Sequence, residues 1–445
     1  MASEVNSFVS RKKLELLATA IRDQMPYVRA SEQKFDQASM KGKKFGAQVT
    51  EYLNDAGTVT DGIIASPDAI HEREVKGFIQ NKNSAVETTF WENFHNIENK
   101  EKNIIKKRAE KLAREVEADV IRHNVFRGMQ AVVAPKVGGV SAPSFEMLSD
   151  AATKLAELSV VGDLVDFQSP TIYGKIANTG LAKFLPEDIQ RDIYREKYLG
   201  QYAGAACVEQ ALMPKITLTD NVADKPTIVV TPVKDDSNTI IGYTVTTPLT
   251  ANSTKALEEG AAYKVPGVYL LDESGMETNQ ELVVIVHKKI TGLVTSTVNG
   301  ETVITKANQG KLAESLGIED LFITAKGHSF GTPNVWVDPA TFDSGSSTTT
   351  ITCEFVDGMS APTTGNTKTY AVGQVRVDDA LVFDAYTYED LPGSRRENVG
   401  SDGPVVLKAM SFGDGLNGVE LTRIDVSYIA TIFEPRRCVV TYTEI

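Results

Sequence analysis

The chain has 445 residues, 42% hydrophobic and 24% charged, with a formal net charge of −13 at pH 7. That length exceeds one ordinary core and points to two or more domains. The acidic balance argues against direct nucleic-acid binding, which needs a basic face. No window approaches the run of about eighteen apolar residues that a spanning helix requires.

Cys207, Cys353 and Cys438 are scattered and odd in number, so neither a disulfide framework nor a C-x-x-C metal site is indicated, and a reducing compartment such as a cytoplasm fits. The opening "MASEVNSFVSRKKLELLATAIRDQMP" lacks the pattern of a secretory signal.

Residues 10–25 read as a short amphipathic helix, with Leu14, Leu17, Ile21 and Met25 on one side and Pro26 closing it. A helix so short must pack on something, either its own domain or a neighbouring chain. Residues 43–95 read as an extended excursion with turn signals and too few apolar residues for a core of its own. Phe90, Trp91, Phe94 and Ile97 are the expected anchor where it rejoins the body.

A long helix follows, ending at Gly128. Its narrow stripe is Ile105, Ala109, Leu112, Ala113, Val116 and Val120, the pattern of a spine lying across other elements. A further helix is expected at 146–158. Then "SPTIYGKIANTGLAKF" opens a helix at Pro170 with Ser169 as its cap, and Pro186 opens another. From 223 to 375 the Thr/Val/Gly-rich texture predicts a β domain, a small barrel or a sandwich. Its hairpins fall at Asp235–Asn238 and Asn299–Gly300, and it holds 17 acidic against 10 basic residues. Alternating strands close the chain, which suggests a β domain inserted between two halves of a host.

Candidate chemistry is sparse. His71, His95, His123, His287 and His328 show no metal-ligand spacing. "GDGLNG" offers Asp414 and Asn417 as oxygen donors, but the spacing is that of a tight turn rather than a calcium loop. His328 beside Ser329 has no third partner. Arg395–Arg396 and Arg436–Arg437 read as salt-bridge residues. No catalytic, cofactor-binding or metal-binding residue is therefore assigned.

The ordered pieces resemble the major capsid (coat) proteins of tailed bacteriophages, in particular the short-tailed enterobacterial type with an inserted β-barrel domain. "KNIIKKRAEKLAREVEADVIRHN" is similar to the spine helix. "SPTIYGKIANTGLAKF", "DIYREKYLGQYAG" and "LMP" are similar to the axial domain, and "LTRIDVSYIATIFEPRRCVV" to the closing strands. "GAAYKVPGVYLLDESGMETNQELVVIV" resembles part of the inserted domain.

The resemblance implies an α+β capsid fold: an N-terminal arm (1–42), an extended loop (43–95), the spine helix of a peripheral domain (96–128), the first part of an axial domain (129–222), an inserted β domain (223–375) and a closing part (376–445). It further implies a self-assembling, non-enzymatic virion protein, forming pentamers and hexamers of an icosahedral shell around double-stranded DNA. A separate scaffolding protein and a portal protein would be partners, no cofactor and no membrane would be involved, and assembly would take place in the host cytoplasm. The short segment before the extended loop implies no proteolytic cleavage. Lys76 and Lys82 lie where some relatives form a lysine–asparagine crosslink, but no asparagine partner is identified. A phage tail or other virion component is the alternative reading.

Overall fold

The computed structural model describes residues 25–35, 40, 43–54, 72–89, 100–177, 201–202, 204–223, 225–234, 236, 240–246, 256–289, 295–298, 301–304, 323–324, 335–337, 349–386, 395–400, 406–414 and 419–445. The expected N-terminal helix, the Phe90–Ile97 anchor and the helix opened by Pro186 lie outside these residues. The class is α+β, with strands predominating. The chain divides into two compact units, each assembled from three separate stretches: 1–51, 75–124 and 378–433 in the first, and 52–74, 125–377 and 434–445 in the second.

The first unit is built on a long helix and an antiparallel sheet. Pro26–Arg29 forms a one-turn helix, α1, so Pro26 opens a helix rather than only closing one. Its missing N–H costs nothing at the first helical position. Lys100–Asn124 forms α2, 25 residues and about 37 Å long. Ala109, Leu112, Ala113, Val116 and Val120 of the expected stripe are buried.

The helix stops four residues before Gly128. The Asn124 amide donates to the Val120 carbonyl at 2.9 Å and accepts the Ile432 N–H at 3.0 Å. The strand Val419–Ile432 is the centre of the sheet, pairing with Val406–Asp414 and Leu381–Tyr386 and, along Gln80–Thr89, with ten residues of the expected extended loop. That excursion therefore returns to the sheet earlier than its polar sequence implied. The strands that flank residues 415–418 of "GDGLNG" pair antiparallel.

The second unit holds a mixed sheet in the order Gln130–Val133, Cys438–Glu444, Thr367–Val377, Leu164–Gln168, Ala205–Glu209 and Gln201–Tyr202. Lys215–Thr219 also pairs with Thr367–Val377. One face is covered by α3 (Phe145–Glu157) and α4 (Pro170–Ala177), packed through Leu148, Ala151, Leu155 and Ile172 onto Ala371, Val375 and Val439. The expected cap at Ser169 is not made: its hydroxyl is buried without a hydrogen bond. The 375 boundary falls inside Thr367–Val377, a strand of this sheet. Gly128 serves close approach rather than helix termination, since a β-carbon there would lie 2.9 Å from the Cys438 carbonyl oxygen.

The same unit contains a second sheet. Its path runs Glu277–Ile285, Ala262–Leu271, Val335–Val337, Ile323–Thr324, Ile240–Thr246, Thr227–Lys234 and Thr349–Thr352. After Cys353 the chain continues as Glu354–Phe355 and pairs back onto Ala262–Leu271, so the sheet closes on itself as a barrel. The strands on either side of each expected turn pair antiparallel.

Candidate functional site

Acidic side chains of the first unit hold its N-terminal segment by backbone capture. Met25 at the N-cap of α1 provides no side-chain cap. The fully buried Glu117 of α2 takes over, accepting the N–H of Tyr27 at 2.6 Å on Oε1 and of Val28 at 3.3 Å on Oε2. A carboxylate at a helix N-terminus satisfies donors that the helix leaves open and meets the positive end of its dipole. Seven residues on, Oδ2 of Asp384 accepts the N–H groups of Lys34 and Phe35 at 2.9 and 2.8 Å. Between these anchors Glu32 exchanges backbone hydrogen bonds with Leu381 and Phe383. Burial raises the Asp384 pKa, and the two backbone donors oppose that shift.

Asp119, two residues after Glu117 on α2, is the hub of a second set. Its Oδ2 accepts from the Tyr428 hydroxyl at 2.6 Å, and Lys82 lies 3.3 Å from Oδ1. Burial and then the Asp119 carboxylate push the Tyr428 phenol far above its ordinary range, so it acts as a permanent donor. Lys82, one of the two crosslink-region lysines, is thus ion-paired, while Lys76 is exposed. Nothing local marks Glu117 and Asp119 as buried anchors, because charges on an amphipathic helix normally face solvent.

The strands Gln48–Asn54 and Glu72–Phe78 form a two-stranded ribbon. Its root is fixed where Gly46 donates to Ile79 and Ile79 donates to Ala47, at 2.8 and 3.0 Å. Gly77 admits Phe35 and Ile429 so closely that a β-carbon would meet them at 2.9 and 2.4 Å. Phe45, Tyr52 and Phe78 each expose about half of their surface (51%, 52% and 51%).

In the second unit, Arg436 and Arg437 make ion pairs, as their sequence suggested. The Arg436 guanidinium pairs with Glu434 and donates to the carbonyls of Leu271 and Asp272 at 3.0 and 2.8 Å, and Arg437 pairs with Glu273. These contacts tie the segment before Cys438–Glu444 to the turn after Ala262–Leu271 of the barrel.

The remaining candidates do not converge. Among the described residues no group of three or more His, Cys, Asp or Glu could hold a metal. His123 lies on α2 and His287 follows a barrel strand, so they belong to different units. His71, His95, His328, Ser329 and Asn417, and the side chains of Arg395 and Arg396, lie outside what is described. All three cysteines are buried as free thiols, and burial pushes Cys353 up to about 12. Among the described residues no helix is long and apolar enough to cross a membrane.

No protein-family model matches the chain, and no curated protein matches it. Among solved structures it is similar to the capsid of Ralstonia phage GP4, at 6% identity and a TM-score of 0.44, over 93% of this chain and 87% of that one. It is also similar to a structure from Mycobacterium phage Che8, at 10% identity and a TM-score of 0.41, over 93% and 89% of the two chains. A capsid structure of Helicobacter pylori bacteriophage KHP30 aligns at 6% identity and a TM-score of 0.41, over 94% and 88%. With TM-scores this low, the functional reading has to stand on the chain's own architecture.

Proposed function

We propose that this chain is a major capsid protein of a tailed bacteriophage, a structural subunit that works by touching copies of itself. The observation that carries the reading is the two-stranded ribbon of Gln48–Asn54 and Glu72–Phe78, which half-exposes aromatic rings at Tyr52 and Phe78, with Phe45 half-exposed just before it. Rings of that size bury large areas at interfaces. A neighbouring subunit would supply the apolar surface that the ribbon lacks, by packing and by strand addition. The order of ribbon, spine helix and closing strands, with the sequence resemblance given above, supports the same conclusion.

In this reading the subunits form pentamers and hexamers through head-to-tail contacts that close into rings, and many modest interfaces sum to a stable icosahedral shell. A scaffolding protein guides closure, a portal protein occupies one vertex, and double-stranded DNA fills the shell. The net charge of −13 keeps the wall from gripping its contents. The test is negative-stain microscopy of the purified chain, produced with and without a scaffolding protein. Closed shells, or spirals when scaffold is absent, are expected. A uniform small ring or tube under every condition would overturn the coat reading and favour a tail component.

A further inference from the structure

Asp166 lies in the middle of the second unit's mixed sheet, on the face covered by α3 and α4, and is 1% exposed. Across the sheet it stands opposite Val375 and Cys207. Oδ1 accepts from the Gln168 amide at 2.5 Å, and Oδ2 is buried with no hydrogen-bond partner. An ionised carboxylate with one oxygen unsatisfied in an apolar layer is costly, whereas a neutral acid is tolerated there. We propose that Asp166 is a protonation-gated pin: neutral, it packs under the two helices, and ionised, it loosens the strand Leu164–Gln168 and the layer built on it.

Among the described residues the groups that ease the charge are the neutral Gln168 amide and Cys207 thiol, and burial outweighs both. The titratable groups of the covering elements are the Tyr173 phenol of α4 and the Cys207 thiol of the neighbouring strand. Glu209, opposite Gln168 on that strand, is half-buried and of the wrong sign. Glu146, Asp150, Lys154 and Glu157 of α3 and Lys175 of α4 all lie outside the buried set. Strand Cys438–Glu444 contributes Thr441, which bonds to Gln168 rather than to the acid. Burial, opposed by the Gln168 amide and the Cys207 thiol, raises the Asp166 pKa from 3.8 to about 7.

The direction follows from proton linkage. Below about pH 4 the acid is neutral in folded and unfolded chains alike, and its contribution to stability is fully present. Between about 4 and 7 only the folded chain keeps the proton, so stability falls as pH rises, and above 7 the loss is complete.

The experiment compares the full chain with Asp166→Asn, a neutral shape-mimic, by urea unfolding from pH 5 to 8.5. The ratio of unfolding constants, wild type over variant, is expected to rise by close to tenfold per pH unit up to about 7 and then level off. Parallel profiles would overturn the proposal. Should the variant not fold, amide hydrogen exchange of the wild type decides. Protection of 164–168 and 205–209, corrected for intrinsic exchange, should fall between pH 6 and 8 relative to 419–432, and equal loss in all three would overturn it.

Discussion

The side-chain amide of Gln168 fills the space that a β-carbon on Gly373 would need. Built there, that carbon would lie 2.1 Å from Oε1 of Gln168 and 2.6 Å from Oγ1 of Thr441. The two residues pair across the sheet, so the glycine makes room for a buried polar neighbour rather than for a turn. Gly373→Ala is expected to cost about 1–3 kcal/mol through overpacking. In a Gln168→Ala background the same change should cost clearly less, a coupling that a double-mutant cycle in urea measures.

Tyr428 and Asp119 make the second testable pair. Tyr428→Phe removes a 2.6 Å hydrogen bond to a carboxylate that is buried. A loss of about 1.5–3 kcal/mol is expected, with little change in shape. The thermal midpoint of the first unit reads it, and an unchanged midpoint would mean that Asp119 is satisfied without the phenol, by neighbours such as Lys82 and His123.

Glu117 is the clasp on the N-terminal segment. Glu117→Ala strands the N–H groups of Tyr27 and Val28 in a buried site, at a cost of about 1–3 kcal/mol for each group left unsatisfied. The expected phenotype is local: faster protease cleavage near residues 25–35, with α2 itself still protected from hydrogen exchange. Loss of protection in α2 would show that the clasp supports the helix as well.

The Arg436–Glu434 pair is nearly enclosed, with side chains 12% and 9% exposed. Arg436→Ala leaves Glu434 without its cation and two backbone carbonyls without a donor, a change of about 3–5 kcal/mol. Calorimetry should show the second unit melting earlier than the first.

The ribbon offers the assembly test. Phe78→Asp places a charge where half a ring is exposed, so the monomer should keep its circular dichroism and melting point. Shell formation, read by sedimentation, should fall at least tenfold. If the variant assembles normally, the ribbon is not an assembly contact.

Much of this was legible in the sequence wherever the signal was local. Turn residues at Asp235–Asn238 and Asn299–Gly300 fixed two hairpins, and 3.6-residue periodicity fixed the buried stripe of α2 from Ala109 to Val120. What stayed hidden depends on distant partners. Gln80–Thr89 is polar because it pairs on one edge only among the described residues, and its partner strand begins at Val419. Glu117 and Asp119 are anchored by Tyr27, Val28 and Tyr428, partners about ninety and three hundred residues away in the chain. Gly128 looked like a helix stop, whereas it is spacing against Cys438.

The strand Cys438–Glu444 also bears on the timing of synthesis. It lies between Gln130–Val133 and Thr367–Val377, in the interior of its sheet. A ribosome releases residue 130 some three hundred residues before residue 439, which at about 5–20 residues per second is on the order of a minute at the slower rate. Throughout that interval Gln130–Val133 lacks its sheet neighbour among the described strands, and for the last sixty or so residues of it Thr367–Val377 presents a bare edge. Such edges recruit other strands, so nascent chains on one polysome are exposed to mispairing until the missing strand arrives. Folding of the second unit is therefore gated by translation, and slowed elongation between residues 377 and 438 should raise the aggregated fraction without altering the product that does fold.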